Sequence, residues 1–366
     1  MNQSGYPQVE INLTKLRHNI RAIKKRCGDL GIELAGVVKG MNGIPDASAL
    51  FAEEGYSYIA SSRLEQLQMV ADRCPGMPLM MIRIPMLSEV EDIVRLADIS
   101  LNSEAETLKA LNEAAGRQGK THDVILMIEL GDLREGFWGE EEVLCAARLV
   151  ENELSHLTLA GIGTNLGCYG SISATVEKME ELIALAELIE ADIGRKLRYI
   201  GGGGTTSLPR VFEGNMPARI NLLRVGEGIL LAKDLRDLWG YDMSDYFQDA
   251  FTLKAEVIEL KDKPSYPMGE IMFDAFGQRP TYDDRGVRRR ALLALGKVDY
   301  AFCDMIYPRD KGAVVLGASS DHTIMDVHDV KRELKVGDIM EFDLCYPTMV
   351  FVTNSPNVKI VFTRQD

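Results

Sequence analysis

The 366-residue chain has no uninterrupted apolar run near the ~20 residues that cross a bilayer, which excludes a membrane-spanning helix. Its first residues, MNQSGYPQVEI, lack the basic and apolar regions of a secretion signal, so the sequence predicts a cytoplasmic protein. Cysteine is sparse and scattered. Cys27, Cys74, Cys145, Cys168, Cys303 and Cys345 form no Cys-x-x-Cys pair, which argues against both a zinc site and a disulfide framework. The 5 histidines show no ligand spacing, so no metal is expected. Positive charge is also short, with 41 Lys plus Arg against 55 Asp plus Glu and a formal charge of −14, so nucleic acid and anionic membrane surfaces are not expected partners. Low-complexity tracts are absent, and 46% hydrophobic against 26% charged residues leaves enough apolar surface for a sizeable core.

What is present is alternation. Between residue 30 and about 230, short apolar runs alternate with segments of helical period, the pattern of repeated βα units. Eight such runs occur, at residues 33–39, 58–61, 79–84, 98–101, 124–129, 157–164, 198–201 and 222–225. Ser62, Ser88 and Ser103 each precede a Glu by three residues (Glu65, Glu91, Glu106), a spacing that predicts capping boxes at three helix starts. Val176, Met179, Ile183, Ala186, Ile189 and Ile193 recur at helical spacing and predict one buried stripe, as do Leu16, Ile20, Ile23 and Cys27 before the first strand. Eight strands in about 200 residues fit a (β/α)8 barrel better than an open doubly wound sheet.

Beyond residue 250 helical stripes are not evident, and runs at 251–260, 290–296, 313–316, 323–327, 339–344 and 358–362 read as strands. The expected architecture is α/β: a TIM-like barrel over residues 1–240 followed by an all-β domain over 241–366. Residues 261–289 are expected to form a long exposed loop, with Arg285, Arg288, Arg289 and Arg290 as a solvated rim.

A barrel of this kind builds its site at the C-terminal strand ends, with a phosphate in the loops after strands seven and eight. The first run, ELAGVVK, is apolar until it stops at Lys39. In the barrel mouth desolvation lowers an ammonium pKa and makes the amine a nucleophile suited to a Schiff base. After strand seven, GGGGTTS offers four glycines for close backbone approach to an anion and three hydroxyls to donate to it. Strand eight, LLRVGEG, sets Arg224 beside the same mouth. A lysine for an imine, a cradle for one phosphate and an arginine for a ring nitrogen together describe pyridoxal 5'-phosphate.

With these residues in hand, the chain resembles the alanine racemase superfamily of fold-type III pyridoxal-phosphate enzymes, and most of all its ornithine racemase branch. The likeness covers nearly the whole chain through AGVVKG, IASSRLEQL, MIRIPM, ISLNSE, IELGDLREGFW, GGGGTTSLP, INLLRVGEG and LGASSDHTIMDV. The resemblance implies that Lys39 carries the cofactor as an imine and that Arg224 faces the pyridine nitrogen. It places Gly204, Thr205, Gly226 and Glu227 at the phosphate, the last two through backbone N–H groups, with Thr206 in the same cradle. It puts Arg134 near the phenolic oxygen and the substrate carboxylate, Asn165 beside the ring, and Asp321 near the partner subunit's site.

Three positions depart from the alanine racemase pattern: Gly43 stands where a phosphate-binding tyrosine is expected, Met127 where a carbamylated lysine would support the arginine, and Lys297 where the second catalytic base, a tyrosine, would come from the neighbouring chain. Candidates for that base are Lys297, Asp299, Tyr300, Cys303 and Asp321. The resemblance implies a homodimer and two-base racemisation of an amino acid, ornithine or lysine, with Asp132, Glu135, Asp304 or Asp321 as candidates for its distal ammonium. The alternatives are a basic amino-acid decarboxylase of the same fold type and a non-catalytic pyridoxal-phosphate carrier. The decarboxylases carry Glu-Pro-Gly-Arg where this chain has Leu223-Arg224-Val225-Gly226, and the carrier would have no use for residues beyond 250.

Overall fold

The computed structural model describes residues 5–364, which fall into two compact units. One runs from Arg17 to Tyr246; the other joins the residues up to Leu16 with those from Phe247 onward. Strand β1 (Gln8–Asn12) precedes the barrel in the chain but pairs antiparallel with β10 (Phe251–Pro264) and parallel with β16 (Lys359–Thr363). The expectation that the barrel domain begins at residue 1 is therefore corrected. Val9 and Ile11 alternate into the core of the β unit, and five residues are too few for that alternation to stand out in the sequence.

In the barrel unit, β2 (Glu33–Val37), β3 (Tyr58–Ser61), β4 (Leu79–Met81), β5 (Ile99–Asn102), β6 (His122–Met127), β7 (Leu157–Gly163), β8 (Tyr199–Gly201) and β9 (Leu222–Val225) close in sequence order. Every pairing is parallel, and closure is made by β2 against β9, with Ala35 opposite Arg224. The interior is packed with Ala35, Val37, Tyr58, Ala60, Met80, Ile99, Leu101, Ile125, Met127, Ala160, Tyr199 and Leu222. These residues step by two along each strand, as side chains sharing one face must.

The helix Val176–Ile193 buries Met179, Ile183, Ala186 and Ile189 of its expected stripe. Thr175 accepts from the Lys178 N–H at its start, and Gly194, with φ of 73°, ends it in the left-handed conformation. The three expected capping boxes do not form. The helices start at Leu64, Val90 and Ala105, behind Arg63, Glu89 and Glu104, none of which caps through its side chain. Glu65, Glu91 and Glu106 instead lie in the first turns, where their charge meets the positive end of the helix dipole.

The β unit is a sheet in the order β12 (Ile306–Pro308), β15 (Ile339–Leu344), β10, β11 (Val287–Leu293), β14 (Thr323–Asp326), β13 (Val314–Ala318). It also contains a helix, Tyr346–Asn354, that the sequence reading left out. That segment is apolar on most positions, so it shows no stripe to separate it from a strand. The arginine cluster is a solvated rim only in part: Arg285 and Arg289 are exposed, whereas Arg288 and Arg290 are half-buried. Arg285 and Arg288 both bond the carboxylate of Asp326, which is 1% exposed, and Arg290 donates to the Ser265 carbonyl at 2.9 Å. Among the described residues, no helix is long and apolar enough to cross a membrane.

Candidate active site

Ala35, Val37 and Lys39 step by two, so Lys39 extends the interior-facing series of β2 just past the strand end. It opens a single helical turn, Lys39–Met41, closed by Asn42 and Gly43 with φ of 52° and 62°. A side chain at Gly43 would also come within 2.8 Å of Gln66, so no tyrosine fits there without displacing the helix Leu64–Arg73. Burial lowers the pKa of the Lys39 ammonium; Cys168 and Glu135 act against that shift, and Arg134 and Arg224 reinforce it. Five groups from four separate strand ends thus share one mouth.

Arg224 is 6% exposed on β9. A Cβ at Gly201 or Gly163 would lie 3.0 or 3.3 Å from its Nη1, so the bare ends of β7 and β8 make room for the guanidinium. Its Nη2 donates to the Thr164 carbonyl and to Asn165 Oδ1, each at 2.8 Å. Nη1 is buried and has no acceptor among the described residues. Burial brings the arginine down to about 10, which still leaves it charged at neutral pH. A buried charged donor with an unmatched N–H is what a ring-nitrogen acceptor would satisfy, so the residues fit the pyridoxal phosphate that the sequence calls for.

Next to it lies the anion cradle. Gly203, at φ of 106°, turns the chain out of β8 into the one-turn helix Thr205–Ser207. The first bond in that turn runs from the Ser207 N–H to the Gly204 carbonyl, so the N–H groups of Thr205 and Thr206 precede it and the turn does not consume them. The helix Glu227–Leu230 starts beside it behind Gly226, and the two are joined by the Gly228 N–H donating to Thr205 Oγ1 at 3.1 Å. The expectation of three donating hydroxyls is corrected: Thr206 donates to the Leu166 carbonyl and Ser207 to that of Gly202. Each of those hydroxyls has spent its one proton on a backbone oxygen.

The Glu227 carboxylate turns away from the cradle and accepts from the N–H groups of Lys233 and Asp234 at 3.0 Å. Burial, with Asp234 nearby, raises its carboxyl to about 7. The folded chain then holds a proton that the unfolded chain releases near 4.5, so stability falls as pH rises between those values. Glu227→Gln keeps the accepting oxygen and is expected to stabilise the protein by about 1–3 kcal/mol above pH 7 but not below pH 4. Urea melts of both proteins across that range check it.

The loop after β6 brings the remaining barrel residues together. Glu129 accepts from the N–H groups of Gly131 and Arg134 at 2.5 and 3.0 Å and holds the loop shut. Asp132, fully buried, accepts from the N–H groups of Gly167, Cys168, Tyr169 and Ile172 at 2.9 to 3.3 Å. It anchors the loop after β7 and is not placed to receive a substrate ammonium. Arg134 binds both oxygens of Glu135, and Glu135 Oε1 accepts from Asn165 Nδ2 at 2.5 Å. The sequence reading took Glu135 only as a possible ammonium partner and passed over Cys168. Its adjacency to Arg134 in LREG was the one available signal for the ion pair. Met127 lies in the barrel core and lends Arg134 no charge.

The β unit sorts the candidates for a second base. Asp299 is buried, and its carboxylate accepts from the Gly296 N–H, the Ser355 hydroxyl and the Asn357 amide. Tyr300 is fully buried; Thr323 Oγ1 donates to the Leu295 carbonyl, so the tyrosine hydroxyl donates to Thr323 at 2.8 Å. Both are structural, and Asp299 is corrected from candidate base to a cap. Lys297 and Cys303 line a cavity of about 660 Å³ together with Asp274, Phe276 and Tyr282. Lys297 Nζ sits 3.8 Å from the centre of the Phe276 ring and 3.9 Å from Asp274 Oδ2. Asp321 is exposed in the turn Ser319–His322, whose Ser319 and Ser320 carbonyls accept from the N–H groups of Lys297 and Val298.

A closed parallel barrel whose mouth gathers Lys39, a buried arginine and a glycine cradle, in a chain that also carries a separate β-sheet unit, has the architecture of the alanine racemase class of enzymes. Residues 11–234 match the family described as alanine racemase, N-terminal domain. The chain is 40% identical over 350 residues to the ornithine racemase of Acetoanaerobium sticklandii, covering 94% of this chain and 96% of that one. It is 36% identical over 357 residues to the lysine racemase of Thermotoga maritima, covering 98% of each. In fold it is similar to the crystal structure of alanine racemase from Bartonella henselae with covalently bound pyridoxal phosphate, at a TM-score of 0.75 and 14% identity over 98% of this chain and 100% of that one. The chain belongs to the alanine racemase family, and its enzymatic class is that of an amino-acid racemase.

Proposed function

We propose that this racemase interconverts the L and D forms of a basic amino acid, ornithine or lysine, with pyridoxal 5'-phosphate attached at Lys39. The observation that carries the cofactor assignment is Arg224, a buried cation whose Nη1 has no acceptor among the described residues. Bound there, the cofactor supplies a conjugated sink for the electron pair left at Cα. Gly204, Thr205, Thr206, Gly226 and Glu227 hold its phosphate, chiefly through backbone N–H groups. Arg224 orients the ring but keeps its own proton, because even the lowered value of about 10 is far above that of a pyridine in water. Arg134 holds the substrate carboxylate. Lys39 Nζ takes the Cα proton on one face or returns it there, a role that its lowered pKa favours.

The opposite face needs a second base. With Asp299 and Tyr300 committed to the β-unit interior, Lys297, Cys303 and Asp321 remain, and Lys297 is preferred because its position matches the family's base. We further infer a cytoplasmic homodimer in which the domain from residue 241 onward, with β1, completes the neighbouring subunit's site. The relatives that act on ornithine and lysine support the substrate class. The exposed carboxylates of Asp304 and Asp321 are candidates for the distal ammonium, whereas Asp132 is withdrawn.

Incubation with L-ornithine, L-lysine and L-alanine, followed by optical rotation and CO2 release, tests the reading. Rotation should decay to zero with ornithine or lysine, at kcat/KM at least ~10-fold above alanine, because a site built for an ammonium penalises a substrate that lacks one. Release of CO2 in place of decaying rotation would make the enzyme a decarboxylase.

A further inference from the structure

The barrel mouth contains a four-membered hydrogen-bonded chain that joins its two arginines. Arg134 donates from Nε to Glu135 Oε2 and from Nη2 to Oε1 at 2.6 Å. Oε1 also accepts from Asn165 Nδ2 at 2.5 Å, and Asn165 Oδ1 accepts from Arg224 Nη2 at 2.8 Å. We propose that Glu135 is a positioning residue whose single carboxylate fixes Arg134 directly and Arg224 through the amide of Asn165. The proposal rests on the assignment of Arg224 to the cofactor ring and of Arg134 to the substrate carboxylate.

Donors and acceptors on either side of Asn165 fix the orientation of its amide. A primary amide has nearly the same shape in its two flipped orientations, and only its partners distinguish them. An ionised carboxylate can only accept and a guanidinium can only donate. With Glu135 on one side of Asn165 and Arg224 on the other, one orientation makes both bonds. The flipped one makes neither, setting oxygen against oxygen and N–H against N–H. Removing the charge of Glu135 removes half of that lock.

The consequence reaches Arg224. Its Nη2 is gripped at two points, the Thr164 carbonyl and Asn165 Oδ1, and this grip directs the unmatched Nη1. Loss of the Asn165 acceptor leaves one point, about which the guanidinium can turn. On the other side, Glu135 holds the Arg134 side chain through both of its oxygens. The charges also require an anion here, since Lys39, Arg134 and Arg224 are all cationic groups coupled at one mouth. Asp132 adds negative charge near Arg134, but its oxygens bond the backbone N–H groups of the loop after β7, so it orients neither arginine directly.

The test uses the full-length enzyme as Glu135→Gln, Asn165→Ala and the double variant. Three quantities are read: the affinity of the apo chain for pyridoxal phosphate by fluorescence titration, the absorbance of the loaded protein against pH, and KM with kcat. E135Q should raise KM ~10-fold or more through Arg134, since a hydrogen bond between charged partners contributes at least that much. It should also weaken cofactor binding several-fold and move the pH midpoint of the absorbance band. N165A should reproduce the cofactor effects, and the double variant should bind cofactor no more weakly than N165A alone, because Glu135 acts on Arg224 through Asn165. Unchanged cofactor affinity and absorbance in E135Q, or single effects that multiply in the double variant, would overturn the proposal. If E135Q does not fold, N165A carries the same prediction for the cofactor. Were the reaction not racemisation, the affinity and absorbance readings would still decide the role of Glu135; normal racemisation with unaltered cofactor binding would sink this proposal alone.

Discussion

Lys39→Ala is expected to lower the racemisation rate by a factor of ~10³ or more, because it removes both the covalent attachment of the cofactor and a base at Cα. The fold should tolerate the change. Lys39 lies past the end of β2 among other cations, and burial already penalises its charge, so the apo protein should lose no stability. Reduction of the loaded enzyme with borohydride, followed by peptide mass analysis, should find the pyridoxyl label on Lys39 in the wild type and no label at that peptide in the variant. Lys39→Arg should also fail to label, since a guanidinium that stays protonated is no nucleophile. Partial rescue of K39A by a small exogenous amine would separate the lost proton transfer from misfolding. A wild-type rate in K39A, or a label that persists on another lysine, would remove Lys39 from the mechanism.

The barrel was readable because each strand is a short continuous apolar run, as strands covered on both faces must be, and the expected strand positions overlap the observed ones at all eight places. Lys39, Arg224 and the glycine run could be found for the same reason, since a polar residue at the end of such a run must lie at the barrel mouth. Pair relations were not readable. Glu135 and Asn165 are 30 residues apart, and neither residue type discloses which way the amide faces. Asp299 looked like a base until its three donors were visible, and the Thr206 hydroxyl looked like a phosphate donor, although its proton goes to the Leu166 carbonyl and leaves the backbone N–H for that part. The helix Tyr346–Asn354 and strand β1 escaped notice because one mixes its apolar and polar residues without a stripe and the other is too short for a period to show.

The strongest consequence of the two-base reading concerns Lys297. Racemisation needs a proton removed from one face of Cα and delivered to the other, so a chain with only Lys39 can exchange the α-hydrogen of one enantiomer without inverting it. Lys297→Gln is therefore expected to suppress net racemisation by ~10²–10⁴, the usual contribution of a positioned base, while one enantiomer keeps exchanging its α-hydrogen in D2O. The substitution is mild for the fold. Lys297 contributes its backbone N–H to the Ser319 carbonyl, which glutamine preserves, and its Nζ sits over the Phe276 ring, whose face can also accept an amide N–H. Proton NMR of each enantiomer in D2O, alongside optical rotation, reads both quantities at once. Cys303→Ala and Asp321→Asn are the parallel variants, and the second base is the residue whose loss makes exchange one-sided. If K297Q leaves both enantiomers exchanging and racemising at the wild-type rate, the base lies elsewhere. Mixing inactive K39A with K297Q then tests the dimer directly: a mixed dimer completed across the interface has one site retaining both lysines, so racemisation should return to up to about a quarter of the wild-type level at equal concentrations, by random pairing of subunits.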